Sequence, residues 1–284
     1  MKKDGDKLYG RGVYDMKGPI LSCLLTINNY FAKNGDLSIG LIVTSDEERG
    51  GFDGTGEIVK KTKLKAKVAV VLDGGKGINS LVIEQKGVLD VTLSYKGVSA
   101  HVAESWKGKN AISKMIEAIN KITKEFSVGS DRKWGTTVSP VHFDSHFIAQ
   151  NVVPDNASAR IIFRYIKDDS LEDILGFIKS IDKDIKIKIN VQGDPLKTGF
   201  DNYFLMTYRG VVKSKTKKDC ITEKYHSACD GRFLSLIGTP VIITRPMGGG
   251  AHSEKEWVSE KSLVLLSEIL TDFLIKIANL SKSN

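Results

Sequence analysis

Cysteine is scarce in this chain of 284 residues. The three present, Cys23, Cys220 and Cys229, are an odd number, widely spaced and without metal-type pairing. They read as structural thiols in a reducing compartment and exclude a disulfide framework or a thiolate metal site. Long hydrophobic runs are missing too. The opening MKKDGDKLYG is basic but leads into no apolar run of signal-peptide length, and the most apolar later stretch, SLVLLSEILTDFLIKIANL, is interrupted by Glu268, Asp272 and Lys276. Neither secretion nor membrane spanning is expected, and the expected location is the cytoplasm. The basic runs KKTKLKAK (60–67) and KSKTKK (213–218) carry much of the formal net charge of +8 but lack interleaved aromatics. They read as solvated lysine faces, not as a nucleic-acid groove. No repeat or low-complexity segment breaks the chain. At 41% hydrophobic and 27% charged residues, the composition is that of a globular protein with room for one large or two ordinary domains.

The local patterns alternate. PILSCLLTINNYFAKNG has apolar residues at helical spacing and stops at Gly35, and LSIGLIVTS (37–45) reads as a buried strand followed by the loop DEERGGFDGT. TGEIVKKTK predicts a short helix and KVAVVLDGG (67–75) another buried strand. This is the texture of an α/β domain with an open mixed sheet and flanking helices, in which functional groups gather beyond the carboxyl ends of strands. From Lys86 the texture changes. GVLDVTLSYKG, the amphipathic helix NAISKMIEAINKITKEF, TTVSPVHFDSHF, ASARIIFRYI, the Ser-capped helix SLEDILGFIKSI and IKIKINVQG follow in the order βαββαβ, the pattern of an α+β ferredoxin-like sandwich. From Pro195 the α/β texture returns, with the strand GTPVIITRP, the loop GGGAHSEKEW and a long C-terminal helix. The expected organisation is a discontinuous domain, 1–85 with 195–284, interrupted by an inserted domain, 86–194.

Chemistry-bearing residues fall where strand-end loops converge: Asp15 after the glycine-rich GRGVYDMKG, Glu47 and Glu48 in TSDEE, Asp73 in VVLDGG, and His252 in the late glycine-rich loop. Singly, an Asp near a glycine reads as a cap or turn residue, and TSDEE as an acidic first helical turn meeting the helix dipole. Together they form an oxygen and imidazole donor set suited to Zn²⁺, Co²⁺ or Mn²⁺, with one carboxylate to spare as a base.

The motifs GRGVYDMKG, TSDEERGG, VVLDGG, KGVSAHVAESWKGKNAI, NVVPDNASARIIFR, CDGRF and GGGAHSEKEWVS, in this order, resemble those of the M20 metallopeptidases, a family that includes succinyl-diaminopimelate desuccinylase, acetylornithine deacetylase and glutamate carboxypeptidase. The resemblance implies a metal-dependent amidohydrolase or peptidase acting on an N-acyl amino acid or short peptide, with one or two Zn²⁺ ions per subunit. It implies that Asp15 bridges two metals, that Glu48 and His252 complete one metal's ligands, that Asp73 binds the other, and that Glu47 is the general base. It further implies that His101 stabilises the oxyanion, that Asn151, Arg232 and Arg164 contact substrate, and that the inserted domain forms a homodimer. Full-length members carry a His-any-Asp motif upstream of the GRG turn, whereas the first histidine here is His101. The resemblance therefore implies an N-terminally shortened member with a weakened second metal site. The competing expectation is a catalytically impaired, dimerising remnant.

Overall fold

The computed structural model describes residues 1–34, 39–126 and 133–281. The predicted helix stop at Gly35 and the start of the predicted strand over 37–45 lie outside them. The chain forms two compact units, one made of Met1–Gln85, Leu196–Tyr225 and Cys229–Asn284, the other of Lys86–Pro195 with His226–Ala228.

The first unit begins with β1 (Lys2–Asp4), β2 (Lys7–Tyr9), α1 (Lys17–Asn34), α2 (Glu57–Thr62), β3 (Ala69–Val71) and β4 (Ser80–Gln85). The second contributes β5 (Val88–Lys96), α3 (Ala111–Glu125), β6 (Thr137–Asp144), β7 (Asn156–Arg164), α4 (Leu171–Ile181) and β8 (Lys186–Gly193). The chain then returns to the first with β9 (Leu196–Lys197), α5 (Tyr203–Thr216), β10 (Ile221–Tyr225), α6 (Gly231–Leu236), β11 (Val241–Ile243), β12 (Gly248–Gly249), β13 (Trp257–Ser259) and α7 (Glu260–Ser281).

The first unit carries a mixed sheet in the order β10-β4-β11-β3, with β9 also on β4, and a separate antiparallel sheet in the order β1-β2-β13-β12. β3 and β11 run parallel, as do β10 and β4. Leu72, just past β3, and Leu81 and Ile242 from the mixed sheet pack with Tyr208 and Val212 of α5 and with Leu266, Ile269 and Phe273 of α7. The three- and four-residue spacings along α5 and α7 put those side chains on one face of each helix, which is why both helices lie on the sheet. Ser22 donates its hydroxyl to the Leu263 carbonyl at 2.9 Å, joining α1 to α7.

In the second unit the strands run antiparallel in the order β6-β7-β5-β8. Leu89, Val91, Leu93 and Tyr95 alternate inward along β5, against Met115, Ala118 and Ile122 of α3 and Ile174 and Ile178 of α4. Both helices start on side-chain caps: Asn110 accepts from the Ser113 amide at 3.1 Å, and Ser170 from the Asp173 amide at 3.0 Å.

One predicted element fails. Residues 39–44 form no strand, no described strand pairs with them, and Leu41, Ile42 and Val43 are 39%, 36% and 54% exposed. An apolar run becomes a buried strand only where a neighbour supplies backbone partners and a covering face. Among the described residues this stretch has neither.

Candidate metal centre

The first unit joins residues far apart in the chain by pairing β2 with β13, Tyr9 opposite Trp257 and Leu8 opposite Val258. The turn that follows Tyr9 is thereby set against the loop that precedes Trp257. Glu256, at the end of that loop, is 1% exposed. Its carboxylate accepts the backbone N–H groups of Gly12 at 2.7 Å and of Tyr14 and Asp15, both at 2.9 Å. Burial opposes its charge, but these donors outweigh that effect and hold the carboxyl below its usual range. The turn is so tight that a Cβ on Gly18 would lie 2.2 Å from the Val13 carbonyl oxygen, which accepts the Gly18 N–H. Only glycine fits there, and Asp15 is delivered at a fixed angle.

Glu47 and Glu48 sit on a single 3₁₀ turn, Glu47–Arg49. Asp46 Oδ2 shapes the following loop by accepting the N–H of Asp53 at 3.0 Å and of Gly54 at 2.8 Å. Gly51 has φ +65°, and a Cβ there would lie 1.8 Å from Asp230 Oδ1. Asp230 in turn accepts the Thr55 hydroxyl at 2.6 Å. Arg232, expected to contact substrate, is 6% exposed, donates Nη2 to the Gly50 carbonyl and lies over the Phe52 and Phe233 rings at 5.1 and 4.5 Å. Its guanidinium braces the loop that carries the two glutamates.

These supports bring Asp15, Glu48 and His252 together. His252, at φ +63° in a tight turn, places Nε2 2.6 Å from Glu48 Oε1 and 3.2 Å from Asp15 Oδ2. Its hydrogen bond to Glu48 comes first among the effects that raise its pKa. Each of the three residues offers one ligand atom, and all three atoms lie within 4.8 Å of one another. Two carboxylate oxygens and an imidazole nitrogen at that separation fit a divalent cation such as Zn²⁺. Burial, followed by the negative charges of Asp73, Asp230, Glu48 and Asp15, pushes Glu47 up to about 8. A dication held among these carboxylates would oppose each of those repulsions.

Asp73 is placed differently. β3 and β11 are in parallel register, Val71 opposite Ile243, so Asp73 and Arg245, each two residues past its strand, emerge side by side. Arg245 Nη2 lies 2.7 Å from Asp73 Oδ1 and 3.9 Å from Asp15 Oδ1, with the guanidinium 4.3 Å from the Tyr14 ring. Burial raises the Asp73 pKa, and the neighbouring guanidinium only partly offsets it.

The other predicted residues belong to the second unit. His101 caps a short 3₁₀ segment, its Nδ1 accepting the Ala103 N–H at 3.1 Å, and its Nε2 lies 3.5 Å from Asn151 Nδ2. A bridge between His101 and Val152 holds the two loops together. Arg164 ends β7, exposed and opposite Thr137.

Sequence reasoning missed Glu256, Arg245, Tyr14 and Asp230. Glu256 lies inside the quoted late loop, four residues after His252. Arg245 closes a strand identified from its apolar run, where an arginine carries no sign of facing inward.

Two carboxylates and an imidazole, brought together in part by the β2–β13 pairing and flanked by a further glutamate, have the donor set of a hydrolytic metal centre. The chain belongs to peptidase family M20/M25/M40, whose model matches residues 1–276, and its homologues are hydrolases of amide bonds. A succinyl-diaminopimelate desuccinylase from Marinobacter nauticus is 27% identical over 97% of this chain and 76% of its own length. One from Pseudomonas syringae pv. syringae is also 27% identical, over 96% and 76%. The crystal structure of aminopeptidase PepT from Bacillus cereus superposes with a TM-score of 0.78 at 18% identity, over 98% of this chain and 76% of that one. An M20 family metallo-carboxypeptidase, Sso-CP2 from Sulfolobus solfataricus, gives 0.67 at 15% identity, over 96% and 78%. At such identities the two solved structures speak to the fold.

Proposed function

We propose that this chain hydrolyses the amide bond of an N-acyl amino acid or short peptide, with Asp15, Glu48 and His252 as metal ligands and Glu47 as general base. The grouping of those three ligand atoms within 4.8 Å, beside a glutamate whose carboxyl is raised by burial, carries the reading. When bound, the cation supplies Lewis acidity, polarising the carbonyl and easing deprotonation of water. Glu47 takes that water's proton and returns it to the leaving nitrogen. Arg232 keeps the Glu47–Glu48 loop in place through Gly50, so its effect on substrate is exerted through that loop.

In this reading the second unit is a ferredoxin-like domain inserted into the catalytic one. Its βαββαβ order and β6-β7-β5-β8 sheet support that assignment. It forms a homodimer and reaches with His101 toward the developing oxyanion in the partner subunit's site, with Asn151 and Arg164 meeting substrate polar groups. No helix among the described residues is long and apolar enough to cross a membrane. Cys23, Cys220 and Cys229 are free thiols, in keeping with a cytoplasmic setting.

The test is a panel of N-succinyl and N-acetyl amino acids and of di- and tripeptides, assayed with Zn²⁺ or Co²⁺ and again after chelation. The succinyl compounds follow the name of the desuccinylase relatives and the peptides those of the solved structures. Hydrolysis that chelation abolishes and metal restores is expected. Hydrolysis indifferent to chelators overturns the mechanism, and none across the metal-loaded panel returns the chain to the remnant reading. Size-exclusion chromatography with light scattering tests the dimer.

A further inference from the structure

We propose that the guanidinium of Arg245 is a built-in cation of this centre and limits it to one divalent ion per chain. The proposal rests on the metallohydrolase reading and goes beyond it by fixing the stoichiometry and naming the residue that sets it.

The two oxygens of Asp15 face different partners. Oδ2 lies 3.2 Å from His252 Nε2, on the side of Glu48. Oδ1 faces Arg245 Nη2 at 3.9 Å, and that same nitrogen is 2.7 Å from Asp73 Oδ1. A second dication shared by Asp15 and Asp73 would have to enter beside the guanidinium that holds Asp73 Oδ1 at 2.7 Å and lies 3.9 Å from Asp15 Oδ1. It would also have to sit against a group that stays charged at any working pH. Side-chain exposure is 12% for Arg245 and 17% for each aspartate, so water screens that repulsion poorly.

Arg245 is also poorly placed to swing aside. Its backbone position follows from the parallel register of β3 and β11. Its guanidinium rests on the Tyr14 ring, and that ring is buried so close under Gly248 that a Cβ there would lie 2.2 Å from it. The arrangement gives Asp73 a partner without a metal. Arg245 is thus a positioning residue: it orients Asp73 and one oxygen of Asp15, leaving the other oxygen for the ion.

Chelator-stripped protein is dialysed against Co²⁺ alone, and cobalt per chain is read by elemental analysis and by visible absorption, with circular dichroism to confirm folding. The wild type and Arg245→Lys should bind one ion, and Arg245→Met, of similar length but uncharged, should bind two. Asp73→Asn should keep the single ion, with affinity falling by no more than the ~10 to 100-fold that an outer-shell partner commands. Adding Asp73→Asn to Arg245→Met should restore one. Two tightly bound ions in the wild type, or a single ion in folded Arg245→Met, overturns the proposal while leaving the metallohydrolase reading intact. Loss of the ion in Asp73→Asn does the same, and keeps the proposal falsifiable should the methionine variant misfold. A wild type that binds no cobalt sinks the metallohydrolase reading and the proposal with it.

Discussion

Replacing Glu256 by alanine removes one carboxylate and leaves three backbone N–H groups, those of Gly12, Tyr14 and Asp15, without the acceptor they share at 2.7 to 2.9 Å. A hydrogen bond to a charged group contributes about 1.5–3 kcal/mol. The three are not independent and water will enter part of the vacated space, so the expected loss is ~3–5 kcal/mol, less than three such bonds summed. At ~2–4 °C per kcal/mol for a body of this size, the melting midpoint should fall by roughly 10 °C. Glu256→Gln is the informative control. One amide oxygen can still accept from Tyr14 and Asp15, but its NH₂ then faces the Gly12 N–H, donor against donor, so the variant should lie between the alanine form and the wild type. Because the same turn presents Asp15, Co²⁺ affinity of the alanine form should drop ~10 to 100-fold, the scale of a lost outer-shell support. The readouts are thermal unfolding by circular dichroism and metal titration. An alanine variant that melts within ~2 °C of wild type, surface-like in its cost, would refute the reasoning, as would a glutamine variant of full stability.

Glu47→Gln should retain the metal and lose hydrolysis by ~10² to 10⁴-fold; loss of metal together with activity would make Glu47 a ligand instead. In the second unit, Asp90 accepts from Arg160 Nε at 2.9 Å and from Asn190 Nδ2 at 3.0 Å, and the Arg160 bond comes first among the effects that depress its pKa. A depressed carboxyl stabilises the fold above its unfolded value of ~3.9 and ceases to do so as pH falls through the lower folded value. The urea midpoint of Asp90→Asn should therefore lie below wild type at pH 7 and converge on it at the acid end; a gap constant with pH would refute the assignment. Gly51→Ala meets both a φ of +65° and the Asp230 carboxylate, so a destabilisation of ~1–3 kcal/mol from backbone strain alone is expected, and a midpoint equal to wild type in urea titration would rule it out.

Helices α1, α2, α3, α4 and α7 and the second unit's strands were legible because their signals are local, whereas α5 and α6 were not read. Leu89, Val91, Leu93 and Tyr95 alternate with polar neighbours, and Ser170 announces its own helix. Asp15, Glu48 and His252 were legible through motif order, since no spacing in the sequence says that residues 204 apart, such as Glu48 and His252, will touch. What was not legible is what depends on a neighbour. The run at 39–44 looks like any buried strand, and its exposure follows from the lack of a pairing strand among the described residues, which a single segment cannot encode. SLVIEQ, now β4 at the heart of the mixed sheet, was passed over because six residues of mixed polarity carry little periodic signal. Arg245 was hidden by register: only the pairing of Val71 with Ile243 shows that it meets Asp73.

The union of β2 with β13 bears on how the protein is made. Asp15 leaves the ribosome well before the glutamate that shapes its turn, which follows 241 positions later. Nearly all of the second unit lies between them. Residues 86–195 can therefore be translated in full and begin to fold while the hydrolytic centre still lacks its closing strand. A premature stop between residues 195 and 256 would release a chain with nearly all of the second unit and a centre that never assembles.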